Sequence, residues 1–510
     1  MQSKDKPSLA DLCRLYGVQT IYRDVFGKVR RPPIASLLKV LRSLGAELES
    51  LSDVAKAYRA RLAQLEPRPI EPVTVLFGGS NSISIKPKER LGSKIICRLE
   101  LESEKEIREW VVDVSLQSDE GLMLKAPFKI PFGYHRLEVE AGDSTYRSLV
   151  IAAPSKAYQP KGRVWGLFIP LYALHSRRSW GAGTYTDLLN LVKWASKVGA
   201  SFVGTTPLLP FGPSSPFDPS PYSPSTRLFW SDFYVDLNTA SNLKLLDKEL
   251  RKKLRKVVSA ERVEYEDILQ LKTQIAAKLA QKALKNSNSR VVRYLKEHPE
   301  LQEYAEFRVV REAKQLRGVE KSVSQHLYLQ ALAHLQFEKV SYYAKEMGVS
   351  LYLDMPLGCS PKGYDAWRYS DLFVKDVSVG APPDFFFPKG QNWGINPLHP
   401  EKIREAGYGY FIECLRHHMR HAGYLRLDHI MALHRLYWIP RGARSDEGVY
   451  VKYRAEEFYA IISLESHRHR CVVIGENLGT VPNYVNRALR RHGLLGCYIL
   501  QLRPPQTLQQ

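Results

Sequence analysis

Two short segments carry side chains whose types could do chemistry: YLRLDHI (424–430) and CVVIGEN (471–477). Side chains alternate along an extended strand, so Arg426 and Asp428 fall on the same face, two residues apart. A cation beside Asp428 favours the ionised carboxylate, which is then available as a nucleophile at neutral pH. The second segment ends in Gly475, Glu476 and Asn477, which places Glu476 at the C-terminal end of its strand. Two carboxylates in different surroundings suit glycoside chemistry, where one attacks the sugar and the other protonates the departing oxygen; retaining enzymes hold them about 5–5.5 Å apart. The sequence spacing permits neighbouring parallel strands joined by one crossover helix. It equally permits two core salt bridges at strand ends, and residue type and spacing leave both open.

The elements that must position these residues begin after Pro154. Candidate strands are RVWGLFIPL (163–171), ASFVGTTPL (200–208), VSLYLDMPL (349–357), YLRLDHI, CVVIGEN and CYILQL (497–502). Helical periodicity lies between them, as in TDLLNLVKWASKVG (186–199), where Leu188, Leu191, Val192 and Ala195 share a face. This α/β alternation implies a parallel sheet covered on both faces, and carboxylates near strand C-termini favour a (β/α)8-type barrel over an open doubly wound sheet. Residues 209–240 are rich in Pro, Ser and aromatics, and 241–325 read as charged helices, an insert outside the barrel.

Two further textures precede the catalytic region at 154–510. Residues 8–65 read as helices, with Leu37, Leu38, Val40, Leu41 and Leu44 as an apolar stripe and Gly45 as a stop, giving an N-terminal helical domain over 1–67. The segment LEPRPIEP (65–72) reads as a linker. From 73 to 153 the period becomes two, with TVLF, SISIK, KIICRLEL, EWVVDVSL, HRLEVE and YRSLVIAAP as strands of a β-sandwich domain, either a substrate-binding module or a spacer.

Composition bounds the function classes. Hydrophobic residues are 44% and charged residues 25%, and no stretch approaches the roughly 20 apolar residues of a membrane span. The start, MQSKDKPSLADL, is polar, so the chain reads as cytoplasmic with no membrane partner. Six scattered cysteines without a CxxC pair fit reduced thiols rather than a disulfide framework or a zinc site. The net charge of +21 attracts polyanions at low salt. No phosphate loop or zinc-finger spacing accompanies LRKKLRKVV (250–258), however, which reads as a solvated helix face, so no nucleic-acid partner is expected. His417 and His421 have the i, i+4 spacing of helix metal ligands but no glutamate between them, and read as part of a solvated basic helix. No metal site is assigned.

The segments GYLRLDHIMALHRLYWIP (423–440), ESHRHRCVVIGENLGTVP (465–482), VGAPPDFFFPKGQNWGINPLHP (379–400) and SPYSPSTRLFWSDFYVDL (220–237), in that set, resemble the signature segments of amylomaltases, the 4-α-glucanotransferases of glycoside hydrolase family seventy-seven. The likeness extends to the sandwich ending PFGYHRLEVEAGDSTYRSLVIAAP, as in family members with extra N-terminal domains. It implies Asp428 as nucleophile and Glu476 as general acid/base, with Arg426 and His429 supporting the first and contacting sugar. It further implies Asp354 beside the catalytic sugar, Tyr222 and Ser225 in a substrate-contacting loop, and Gln391 and Trp393 in a loop that covers the glucan. A tryptophan there suits the apolar face of a glucose ring. The reaction implied is disproportionation of α-1,4-glucans such as maltooligosaccharides, with no metal, nucleotide or organic cofactor.

The sequence departs from the family pattern in three places. Asn477 follows the acid/base glutamate where the family usually has Asp, and Thr184 in WGAGTYTDL stands where the family usually has Asp. The family's GTHD-type segment on strand seven is not found before Gln510, so the expectation is a barrel truncated after strand six, with impaired activity. Two other readings compete: an α-glucan hydrolase of the same clan, and a non-catalytic α-glucan-binding protein.

Overall fold

The computed structural model describes residues 7–502 except 66–69, 86–93, 104–105, 114–121, 161, 213–216, 239–243, 245, 286–288, 313–321 and 480. Its internal contacts divide the chain into two units: Met1–Gln159 with Asp371–Leu415 and His429–Gln510, and Pro160–Ser370 with Arg416–Asp428.

The second unit holds four parallel strands in the order Gly166–Phe168, Phe202–Gly204, Ser350–Met355 and Tyr424–Leu427. The helix Tyr185–Lys197 connects the first two; its apolar residues Leu188, Leu189, Val192 and Ala195 are buried, as a 3.6-residue period requires. Thr184 begins this helix with a capping box: its hydroxyl accepts the Asp187 N–H, and the Asp187 carboxylate accepts both the Thr184 N–H at 2.9 Å and its hydroxyl at 2.8 Å. The charged insert folds as the helices Lys248–Val258, Tyr265–Lys285, Arg290–Glu297 and Glu300–Glu312, before the long crossover helix Val323–Glu346 leads into the third strand. In Lys248–Val258 only Leu250 and Val257 are buried, so the basic run is indeed a solvated face.

The first unit contains the sandwich. Its five-stranded sheet runs Val73–Phe77, Ser144–Ala153, Gly133–Ala141, Lys94–Glu100, Ile107–Asp113, and a second pair joins Ser82–Ile85 to Leu122–Lys125. Alternation turns Ile95, Cys97 and Leu99 inward together with Leu137, Val139, Trp110 and Leu124, and among the described residues this core draws its members from 70–152. The helix Ala455–His469 packs on the sandwich strands. Its Glu457 is held by Arg404 at 2.8–3.1 Å and by the Tyr408 hydroxyl at 2.6 Å, while Arg404 also reaches Glu71 at 2.9 Å. A buried pair so fully bonded is costly to break from one side. The same unit has an antiparallel sheet ordered Gln391–Asn392, Val377–Ala381, Arg435–Pro440, Val449–Lys452, and a parallel pair, Val472–Gly475 with Leu495–Gly496.

Three local expectations change. Residues 22–30 are a two-stranded hairpin rather than helix, because the Asp24 carboxylate collects the N–H groups of Phe26 and Lys28 and closes a turn. The strand expected at 497–502 lies earlier, at Leu495–Gly496, and Leu500–Leu502 form a 3-10 turn. The Cys497 N–H is donated to the Asn477 side chain at 2.8 Å instead of a ladder partner, which ends the strand and leaves Tyr498 and Leu500 exposed. The helix Gly409–Met419 is not a solvated basic face at its C-terminal end. His417 and His418 are buried, and the His417 ring lies 4.1 Å from that of Trp230. Prolines 504 and 505, linker residues 66–69 and the 114–116 end of EWVVDVSL lie outside the described residues.

Candidate active site

In the second unit the strand register sets the chemistry. Asp354 and Arg426 are partners on neighbouring parallel strands, and Asp428 follows directly on the strand Tyr424–Leu427, its N–H donated to Met355 O at 3.1 Å. One guanidinium nitrogen, Arg426 Nη1, donates to Asp354 Oδ1 and to Asp428 Oδ1, each at 2.8 Å. Tyr222 donates its hydroxyl to the other Asp354 oxygen at 2.8 Å. The charged side chains are graded in exposure: that of Asp354 is 1% exposed, Arg426 17% and Asp428 23%, so Asp428 is the more exposed of the two carboxylates.

Burial raises the Asp354 carboxyl to about 6 from its usual 3.8 and outweighs Arg426 and Tyr222, which both favour the ionised form; the Asp428 charge adds to the rise. Burial also pushes the Tyr222 hydroxyl up, with the Asp354 charge in the same direction. For Arg426 burial acts downward, yet the two carboxylates hold the guanidinium above its usual range, so it stays charged. Arg426 therefore faces Asp428 as a permanent cation.

Ser225 stands apart from this group. It is buried, with its N–H donated to Pro210 O at 2.8 Å and its hydroxyl accepting the Tyr364 N–H at 3.3 Å. The loop that carries Tyr222 is pinned by residues that sequence reasoning did not single out. Arg227, 2% exposed, donates Nη1 to Pro356 O at 3.2 Å and Leu357 O at 2.9 Å, just past the Asp354 strand, and its own N–H goes to Asp365 Oδ2 at 2.8 Å. From the insert helix Tyr265–Lys285, Lys272 donates to Phe233 O and, at 2.9 Å, to Val235 O; burial pulls its ammonium down to about 8. A loop Arg or a Lys in a basic helix reads as solvated, so only burial identifies these two.

In the first unit, Glu476 follows the strand Val472–Gly475. Its Oε2 accepts the His429 N–H at 3.1 Å, its Oε1 accepts the Leu478 N–H at 2.6 Å, and its carbonyl accepts the Ile430 N–H at 3.0 Å. His429 takes a left-handed backbone, φ 49°, unusual for a residue with a side chain and of the kind found where function imposes geometry. Gly475 is needed because a Cβ there would sit 2.7 Å from Ile430. The His429 ring meets Trp393 edge-on at 5.0 Å, and Trp393 Nε1 donates to Gln391 Oε1 at 3.3 Å. The structure thus groups Glu476, His429, Trp393 and Gln391 in one unit and Asp354, Arg426, Asp428 and Tyr222 in the other. Asn477 acts structurally, since its amide nitrogen donates to Asn486 Oδ1 at 2.8 Å, a bond that a carboxylate could not donate. Among the described residues no cluster of three or more His, Cys, Asp or Glu side chains is arranged to hold a metal, and no helix is long and apolar enough to cross a membrane.

Comparison with known proteins points the same way as these side chains. Residues 169–509 match the model of the family described as 4-alpha-glucanotransferase. The chain is 32% identical to the 4-alpha-glucanotransferase of Mycobacterium tuberculosis over 547 aligned positions, covering 97% of this chain and 75% of the relative. It is also 32% identical to that of Haemophilus influenzae, over 73% of this chain and 60% of the relative. The crystal structure of amylomaltase from Corynebacterium glutamicum superposes with a TM-score of 0.81 at 27% identity, covering 98% of this chain and 76% of that one. With the family model spanning well over half of the sequence and both motif strands inside it, the chain belongs to the 4-alpha-glucanotransferase family.

Proposed function

We propose that this chain transfers α-1,4-glucan segments between maltooligosaccharides by a retaining double displacement, with Asp428 as nucleophile and Glu476 as general acid and then base. The observation that carries the reading is the shared Arg426 nitrogen. It bonds the buried Asp354 and the more exposed Asp428 at the ends of parallel strands, the end where such folds carry their chemistry. Glu476 ends another parallel strand, and its carboxylate holds the N–H of His429, the residue that follows Asp428 in the chain.

In the first step Asp428 attacks the anomeric carbon while Glu476 gives its proton to the departing glycosidic oxygen, leaving a glucosyl ester on Asp428. In the second, Glu476 takes the proton of an acceptor hydroxyl, which attacks the same carbon and releases Asp428. Transfer exceeds hydrolysis when the acceptor is held in place and water is kept out; we assign both roles to the loop with Gln391 and Trp393. The parallel strands are read as part of a (β/α)8-type barrel, with 1–67 and 73–153 as separate domains before a catalytic region at 154–510. The buried cluster drawn from 70–152 supports the second of these. The six cysteines, scattered along the chain without a CxxC pair and five of them buried, suit a reducing compartment such as the cytoplasm.

Incubating the chain with maltotriose tests this. Glucose together with glucans longer than the substrate is the expected outcome. Glucose and maltose without longer products would indicate a hydrolase, and binding without turnover would indicate a glucan-binding protein.

A further inference from the structure

The loop between the strands Val377–Ala381 and Gln391–Asn392 carries three consecutive phenylalanines that stand out from the surface, Phe385 at 69%, Phe386 at 74% and Phe387 at 49% exposure. Its base is fixed. Gly380 pairs with Asn392 and Ala381 with Gln391, the Trp393 N–H goes to Val379 O at 2.9 Å, and Ser378 Oγ donates to Asn392 Oδ1 at 2.8 Å. The tip is bonded to itself: Asp384 Oδ1 accepts the N–H groups of Phe386 at 2.8 Å and Phe387 at 2.7 Å, and Phe387 O accepts those of Asp384 and Gly390. None of these bonds ties the tip to the body that bears it.

A ring from outside the loop does. Phe26, itself 48% exposed, meets Phe385 edge-to-face with centroids 4.7 Å apart. It is presented by the hairpin Tyr22–Arg23 and Val29–Arg30, whose turn is set by Asp24 accepting from Phe26 N–H at 3.0 Å, Lys28 N–H at 2.9 Å and Arg30 Nε at 2.7 Å. The hairpin is rooted by Tyr22, buried edge-on against Tyr437 and Tyr450. Tyr437 lies on the strand Arg435–Pro440, which pairs with Val377–Ala381, the strand that leads into the loop. One circuit of contacts thus runs from the loop base through the antiparallel sheet and the hairpin back to the loop tip.

We propose that Phe26 is a positioning residue for transfer: its ring holds the tip of loop 382–390 against the N-terminal hairpin and so sets how often Gln391 and Trp393 stand over bound glucan. This rests on the reading above that the loop covers the glucan. A single edge-to-face pair shifts such an equilibrium roughly two- to tenfold. Because water competes with the acceptor sugar for the glucosyl ester, a loosened loop favours hydrolysis while leaving formation of the ester largely unchanged.

The test compares the full chain as wild type, Phe26→Ala and Phe26→Tyr by amide hydrogen exchange and by product analysis with maltotriose. Phe26 is half exposed on a turn, so the substitutions should leave the fold intact; exchange across the remaining sheets verifies this. In Phe26→Ala the amides of Phe386, Phe387 and Gly390 should exchange roughly two- to tenfold faster, and the hydrolysis-to-transfer ratio should rise by a similar factor. Phe26→Tyr, which keeps the ring, should restore both. Unchanged exchange in Phe26→Ala would overturn the proposal, and faster exchange with an unchanged product ratio would overturn its link to transfer. A wild-type chain without turnover would refute the functional reading instead, and the exchange comparison would still decide whether Phe26 holds the loop.

Discussion

Arg426 and Asp354 are register partners on adjacent parallel strands, joined at 2.8 Å by the same guanidinium nitrogen that also bonds Asp428. Three charges, one buried acid, one cation and one accessible acid, therefore act as a unit, and its response to substitution and to pH is predictable.

Asp428→Asn should abolish turnover of maltotriose while leaving glucan affinity within a few fold, since the amide keeps the shape and loses the nucleophile. Glu476→Gln should lower turnover roughly 10²–10⁴-fold. Activity of this second variant should recover with α-glucosyl fluoride as donor, because fluoride departs without a proton. Equal losses with both donors would remove Glu476 from the acid role. Isothermal titration with a maltooligosaccharide reports the affinity of each variant.

Asp354 predicts opposite effects on stability and activity. Its folded pKa, about 6, lies above the ordinary 3.8, so the folded state holds the proton more tightly than the unfolded chain. The stabilisation from this group is fully present below about pH 3.8 and is lost as pH rises through about 6. Plotted against pH, the Tm of wild type minus that of Asp354→Asn should decline across that window. Activity should run the other way, falling below about pH 6 as protonation releases Arg426. Parallel Tm curves would contradict the shifted Asp354.

The buried histidines beside Trp230 and Phe229 should govern acid stability. Burial lowers His334 to about 3 and His421 to about 3, and depresses His417 as well. All three are neutral in the folded state, so their effect is absent above the ordinary 6.5 and stability falls as pH drops from there toward 3. His417→Phe, which keeps an aromatic ring against Trp230, should flatten the decline of Tm between roughly pH 7 and 5. A slope equal to that of wild type would show that these groups do not set it.

Thr184→Ala should cost about 1 kcal/mol of stability through loss of the helix cap. Thr184→Asp should not restore it. The Thr184 hydroxyl donates to the Asp187 carboxylate at 2.8 Å, and a second carboxylate there would repel the first. Urea unfolding of the three forms measures both effects.

Residue types and their periods determined a great deal of this protein: the strand-and-helix alternation after 154, the two-residue period of the sandwich, the helical period of 186–199, and the pairing of Arg426 with Asp428 two positions along one strand. These are local, because side-chain direction in a strand or helix follows from backbone geometry alone. Only the tertiary structure decided that Arg426 also binds Asp354 and that Tyr222 closes on the same carboxylate. It alone put Arg227 and Lys272 inside, His417 against Trp230, and the end of the strand Leu495–Gly496 at Gly496, where the Asn477 side chain takes the next N–H. Each of these depends on which distant segment arrives at a given backbone or charge, and burial, which sets the protonation of Asp354 and the histidines, exists only once those segments have met.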